Sequence, residues 1–85
     1  MLVETPGHTP GHQSLVVETA DGRVVIAGQC IYGTDEVVEQ RIARDNMHDD
    51  SFVDAGQESL DRLLALDPRY LVAAHDARPW LAVRP

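Results

Sequence analysis

The chain has 85 residues, the size of one small domain, and a single domain over residues 1–85 is predicted. Fourteen acidic residues against seven basic ones, all arginine, give a net charge of −7. Nucleic acid and anionic membranes are therefore not expected partners, because both attract clustered Lys and Arg. No signal peptide and no apolar run of bilayer length is present, so a cytoplasmic location is predicted.

A tandem repeat opens the chain: Thr5-Pro6-Gly7-His8 is followed by Thr9-Pro10-Gly11-His12. Each Pro-Gly pair predicts a type II turn, because Pro fixes φ at the second turn position and Gly tolerates a positive φ at the third. A histidine directly behind a rigid turn points in a defined direction. A metal ligand or a catalytic base needs that property.

Two strands are predicted after the repeat, Leu15–Thr19 and Val24–Ala27. Asp21-Gly22 between them favours a tight hairpin. Both strands are apolar at consecutive positions, which is typical of strands covered on both faces. The polar, acidic stretch 33–49 predicts a loop with one short helical turn around Val37–Ile42.

A helix is expected next, capped by Asp50 or Ser51 or beginning at Asp54, and ended by Asp67-Pro68. Its apolar face would consist of Val53, Leu60, Leu63 and Leu64. A last strand, Tyr70–Ala74, leads to His75, and the tail around Trp80 is expected to pack back on the body. The order ββαβ predicts an α/β (α+β) fold. Since one helix can cover only one sheet face, we expect a second copy in a homodimer, or the rest of a larger fold, on the other face.

The order of turn, histidine and strand resembles the third metal-ligand motif of the metallo-β-lactamase superfamily, and TPGHTPGHQSL is most similar to its N-acyl homoserine lactonase branch. The resemblance covers roughly residues 3–79 and implies the C-terminal half of an αββα sandwich. It implies His12, Gln29 (in Gly28-Gln29) and His75 as metal positions. It also implies zinc as the cofactor, a lactone or ester as the substrate, and Tyr32 as the residue that holds the substrate oxygen.

Two departures from the family pattern weaken the expected activity. The four-ligand motif His-x-His-x-Asp-His occurs nowhere in these residues, and Gln29 replaces an aspartate that bridges two metal ions in the family. An amide offers one neutral acceptor oxygen and cannot bridge in the same way. We therefore expect weak or absent zinc binding and little catalysis by this chain alone. The alternatives are a non-catalytic, self-associating domain and one half of a split hydrolase completed by another chain.

Some of these residues also have plain structural interpretations. Tyr32 is equally well explained as an aromatic residue at the end of a strand. His8 is expected to be structural, His48 solvated in its acidic loop, and Cys30 a small buried apolar residue that has no partner for an internal disulfide.

Overall fold

The computed structural model describes residues 1–74 and 81–82. They form one five-stranded sheet in which the strands follow chain order. Only the β3–β4 pair is parallel, and the other three pairs are antiparallel. The strands are β1 (Leu2–Glu4), β2 (Gln13–Thr19), β3 (Gly22–Gly28), β4 (Tyr70–Ala73) and β5 (Leu81–Ala82).

Two helices and two short 3-10 turns connect β3 to β4. They are α1 (Thr34–Glu39), the turns Arg44–Asn46 and Asp50–Phe52, and α2 (Val53–Ala65). No helix of the described residues is long and apolar enough to cross a membrane; a cytoplasmic location stays a prediction.

The predicted order ββαβ is confirmed as β2, β3, α2 and β4, and the structure adds β1, α1 and β5. The helical turn predicted around Val37–Ile42 begins earlier, at Thr34. The prediction of Asp50 or Ser51 as the cap was wrong: α2 begins at Val53, one residue before the alternative start at Asp54, and has no side-chain cap. The Asp49 carboxylate, which accepts a 2.8 Å hydrogen bond from the Ser51 N–H, caps the 3-10 turn that precedes α2. The chain ends α2 as predicted and takes a positive φ of 58° at Asp67.

One face of the sheet is buried under α2. Inward side chains alternate along each strand with outward ones, as strand geometry requires. Leu60 and Leu63 of α2 are completely buried and belong to the same core as the inward residues of the sheet. The inward set comprises Val16, Val25, Ala27, Leu71 and Ala73.

Part of the opposite face of the sheet is exposed among the residues that the structure describes. Leu15, Val17 and Ile26 point outward and are 37%, 38% and 39% exposed. They are neighbours, since Leu15 lies opposite Ile26 in the β2–β3 register. The expectation that the helix covers only one face therefore agrees with the structure.

The two halves of the tandem repeat adopt different conformations, so the prediction of two type II turns was wrong. A hydrogen bond of 3.3 Å from the His12 N–H to the Thr9 carbonyl closes the second turn, but Gly11 has no positive φ. Gly7 has φ +154°, and a Cβ placed on it would lie 2.8 Å from the Gly56 Cα atom of α2. The first repeat is thus in direct backbone contact with the helix, whereas the second is free of such contact.

Substituting the two repeat glycines should separate their contributions to stability. Gly7→Ala puts a methyl group against backbone at a positive φ, so we expect a loss of about 1–3 kcal/mol or more in the free energy of unfolding. Gly11→Ala is the matched control, because a Cβ there meets no atom within 4 Å. Its effect should stay within about 0.5 kcal/mol. Urea unfolding measures both, and equal effects would contradict the packing of Gly7 on Gly56.

Candidate metal-ligand site

His12 and Gln29 lie together at one end of the β2–β3 pair. His12 directly precedes β2, and Gln29 directly follows β3. The Gln29 N–H donates a 3.0 Å hydrogen bond to Nε2 of His12. At the other side of the ring, Nδ1 lies 2.8 Å from Oγ1 of Thr5. The structure thus brings these two residues together, and their role as metal ligands stays a prediction.

A β-bulge in β3 brings the backbone of Gly28 and Gln29 close to the imidazole ring of His12. The register between β3 and β4 shifts between Ile26 and Gly28, so Ala27 is an extra residue in the strand. Gly28 then turns with φ +56°, and a Cβ on it would lie only 3.0 Å from Nε2 of His12. A glycine at this position lets the following peptide reach the imidazole.

Two buried hydroxyl groups lie in sequence on the Nδ1 side of the His12 imidazole. Thr5 and Ser14 are 0% and 1% exposed, and their hydroxyl oxygens are 2.8 Å apart. Ser14 also donates a hydrogen bond of 3.2 Å to the Ala27 carbonyl. Burial lowers the pKa of the His12 imidazole below its ordinary value, which favours the neutral form of the ring. A neutral imidazole is the form that binds a metal ion.

Tyr32 lies on the loop that follows Gln29. Its side chain is half exposed and borders a cavity of about 260 Å³ that is also lined by Ala43, Asp45 and Asn46. The Asn46 side-chain amide donates a 2.7 Å hydrogen bond to the Gln29 carbonyl. Asn46 therefore links the wall of this cavity to the backbone beside His12. A substrate role for Tyr32 stays a prediction.

The loop that carries Tyr32 is organised by a buried carboxylate. Glu36 is 6% exposed, and its Oε2 accepts hydrogen bonds from the backbone N–H groups of Tyr32 and Gly33. Its Oε1 accepts another from the Ala43 N–H at 2.8 Å. One side chain thus ties the loop before α1 and the segment after α1 to the helix.

Replacing this carboxylate with an amide should loosen the loop. In Glu36→Gln an NH2 group replaces one of the two accepting oxygens, so at least one buried backbone N–H faces a donor. We expect a loss of about 1–3 kcal/mol in the free energy of unfolding. Glu39→Gln, at an exposed position of the same helix, is the control and should be close to neutral. Thermal unfolding of the two variants checks this, and equal midpoints would contradict the account of Glu36.

The remaining candidates have separate positions. Nδ1 of His8 donates a 2.5 Å hydrogen bond to the Asn46 carbonyl, in agreement with the structural interpretation. His48 is exposed and packs edge-on against Phe52. Cys30 is buried, and burial, helped by the negative charge of Glu36, raises the pKa of its thiol to about 12. The thiol is thus uncharged and unreactive at neutral pH. His75 and Trp80 lie outside the described residues.

Sequence reasoning missed Thr5, Ser14 and Glu36. Ser14 carries a detectable pattern, since it has the same strand parity as the inward Val16 and is therefore a polar residue on a buried face. Such a residue needs a hydrogen-bond partner. Thr5 and Glu36 carry no comparable pattern, because their partners are distant in the sequence or belong to the backbone.

The described residues fit a metal ion only in part. His12 offers an imidazole whose Nε2 accepts a hydrogen bond from the Gln29 N–H and is therefore an electron-pair donor. Within residues 1–74 and 81–82, no three side chains of the His, Cys, Asp and Glu types come together to hold a metal ion. Catalytic zinc sites usually have three protein ligands. This part of the chain therefore offers one candidate ligand and not a complete set.

Comparison with known families decides the relationship of the chain. The family model of the metallo-beta-lactamase superfamily matches residues 1–75. The chain belongs to this superfamily. Over 82 residues it is also 32% identical to the protein named "Probable metallo-hydrolase YflN" of Bacillus subtilis (strain 168), covering 88% of this chain and 30% of that protein.

Solved structures of superfamily members show the same fold. An N-acyl homoserine lactone hydrolase with N-hexanoyl-L-homoserine bound at its catalytic metal centre is 29% identical, with a TM-score of 0.70 over 89% of this chain and 30% of that one. A mutant of AiiA from B. thuringiensis, with N-decanoyl-L-homoserine bound at its active site, is also 29% identical, with a TM-score of 0.70 over 89% of this chain and 30% of that one. AidC, a dizinc quorum-quenching lactonase, is 17% identical, with a TM-score of 0.64 over 92% of this chain and 27% of that one. A likeness at this identity shows the fold alone.

The match covers only part of each relative. The chain spans about 30% of the length of the metallo-hydrolase and of the lactone hydrolase. Its α/β (α+β) structure is therefore a partial metallo-β-lactamase fold, as the sequence predicts.

Proposed function

We propose that this chain is part of a lactonase-like, metal-dependent hydrolase and that His12 is one of its metal ligands. The observation that carries the proposal is the position of His12, whose Nε2 lies against the Gly28-Gln29 backbone. A structure 29% identical to this chain holds a lactone-derived product at a catalytic metal centre. We further propose zinc as the metal and a lactone or ester as the substrate.

The chain's own residues would have distinct tasks in such a site. His12 presents Nε2, and His75 is proposed as a second ligand. Tyr32 borders the 260 Å³ cavity and would donate a hydrogen bond from its hydroxyl group to a substrate oxygen. A bound zinc ion lowers the pKa of a coordinated water and polarises a carbonyl. The neutral Gln29 amide cancels no metal charge, so a second metal ion should bind more weakly than it would beside an aspartate.

We propose that the 85 residues alone are a poor catalyst. Two histidines are fewer than the three protein ligands of a usual catalytic zinc site, and the neutral Gln29 amide is a weaker donor than the carboxylate it replaces. Residues supplied by another polypeptide, or by a longer form of this protein, would complete the ligand set. A split hydrolase is thus one form of the proposal.

Metal titration with paired variants tests the ligand assignment. We expect the purified chain to bind Zn²⁺ with less than one tightly held equivalent, measured by calorimetry and by elemental analysis after dialysis. His12→Ala should remove the binding, because it deletes an imidazole ligand. His8→Ala, at the same position of the other repeat, should leave it unchanged, because His8 Nδ1 already contacts Asn46. Gln29→Asp should strengthen binding, because it adds a charged oxygen donor.

The same samples test the proposed lack of catalysis. With an N-acyl homoserine lactone and added Zn²⁺, we expect no saturable turnover. Turnover that His12→Ala abolishes would contradict the claim of inactivity and support the ligand role. Binding unaffected by His12→Ala would overturn the ligand role itself.

The alternative is a non-catalytic domain that associates with itself, and the open sheet face favours it. Leu15, Val17 and Ile26 form an uncharged patch on that face. A second copy would bring an identical uncharged patch, so apolar side chains of one chain would contact apolar side chains of the other. We propose a two-fold homodimer through this face for the isolated chain.

Oligomeric state distinguishes this dimer from a monomer. Light scattering at micromolar concentration should give about twice the 9.4 kDa chain mass. Ile26→Glu should shift the chain to monomer, because it puts a charge into the apolar contact. Val38→Glu is the control, since Val38 is 78% exposed on α1 and away from the face. A wild-type monomer, or equal effects of the two variants, would contradict the dimer.

A further inference from the structure

We propose that the hydroxyl groups of Thr5 and Ser14 fix His12 as the tautomer that carries its proton on Nδ1, and thereby keep the electron pair of Nε2 available for a divalent cation. The assignment of the tautomer stands on the hydrogen bonds alone. The consequence for cation binding rests on the proposed function. Thr5 and Ser14 are positioning residues in this scheme, because both act through His12.

A chain of three hydrogen bonds runs from the Ala27 carbonyl through the hydroxyl groups of Ser14 and Thr5 to His12. The carbonyl fixes the direction of all three. A carbonyl oxygen only accepts, so the single proton of the Ser14 hydroxyl is used at the Ala27 carbonyl. The contact between Ser14 and Thr5 then requires Thr5 to donate. With its own proton used, Thr5 Oγ1 can only accept from Nδ1 of His12. Only one arrangement of protons satisfies all three contacts.

The opposite side of the ring requires the same tautomer independently. A backbone N–H only donates, so the Gln29 N–H at 3.0 Å needs an unprotonated Nε2. A proton on Nε2 would set two donors against each other. Both sides of the His12 ring therefore place the proton on Nδ1.

Burial makes the two hydroxyl groups hard to replace. Both side chains are at most 1% exposed. In the described part of the chain, no buried side-chain nitrogen or oxygen lacks a hydrogen-bond partner. Removing either hydroxyl therefore leaves a buried polar group unsatisfied, with little access for a water molecule to take its place.

Once a cation binds to Nε2, the tautomer of His12 depends on its contact with the Thr5 hydroxyl group. The electron pair of Nε2 cannot serve a cation and the Gln29 N–H at the same time. The Gln29 contact must then be given up, and Thr5 alone continues to define the tautomer and the ring orientation. Partners of this kind, behind a metal-ligating histidine, change metal affinity by 10–100-fold when they are removed.

The metal-free protein gives the first test. Nitrogen-15 NMR of the full 85-residue chain distinguishes a protonated, pyrrole-type nitrogen from an unprotonated, pyridine-type one. We expect His12 to show a protonated Nδ1 and an unprotonated Nε2 as a single tautomer. A proton on Nε2, or averaged shifts for the two nitrogens, would overturn the proposal.

Variants then test which groups fix the tautomer. Thr5→Val removes the hydroxyl at nearly constant shape and should speed exchange of the Nδ1 proton with water. It should also weaken Zn²⁺ binding 10–100-fold. Thr5→Ser keeps the hydroxyl and should restore both values. Ser14→Ala should change both in the same direction as Thr5→Val, which keeps the test available if Thr5→Val does not fold.

Thr9→Val is the matched control, since Thr9 is the exposed threonine of the second repeat. It should change neither the exchange rate nor the affinity, and equal effects of Thr5→Val and Thr9→Val would overturn the proposal. A wild-type Nε2 resonance that does not move on adding Zn²⁺ would refute the ligand role in the proposed function. The metal-free spectrum would still decide the tautomer.

Discussion

Burial of one face of the sheet under α2 is the constraint on which the rest of the structure depends. Leu60 and Leu63 of the helix share a core with the inward residues of β2, β3 and β4. The same packing brings Gly56 against Gly7 and so holds the first repeat on the helix. His12 follows that repeat by a few residues. The position of the imidazole is thus a consequence of helix packing as well as of its own turn.

Much of the fold could be predicted from the sequence because its patterns are local. Asp21-Gly22 specified the hairpin, and the spacing of Leu60 and Leu63 specified the buried stripe of α2. Other features depend on contacts between distant residues. The strand β1 exists because it pairs with β2, and nothing in three residues predicts that pairing. The different turns of the two repeats have the same origin, since Gly7 meets the helix and Gly11 meets nothing.

The candidate site could be predicted from the sequence only in part. The family resemblance implied His12 and Gln29 as residues of one site, and the Gln29 backbone N–H contacts His12 in the structure; their role as metal ligands stays a prediction. The protonation state of the ring was not predictable, because it depends on a chain of contacts through Thr5 and Ser14 to Ala27. Glu36 was missed for the same reason, since its partners are backbone N–H groups that only the folded loop brings together.

The strand connections also imply an order of assembly. The β2–β3 hairpin closes through a turn of two residues, and such hairpins form within about 1–10 microseconds. The parallel pairing of β3 with β4 instead requires residues 29–69 to form a closed loop between the two strands. Closing this longer loop costs more chain entropy, so β3 and β4 come into contact later. The Gly28-Gln29 backbone leaves β3 at the start of that segment. We therefore expect the hairpin to bring His12 towards Gln29 early in folding, before the sheet that surrounds them is complete.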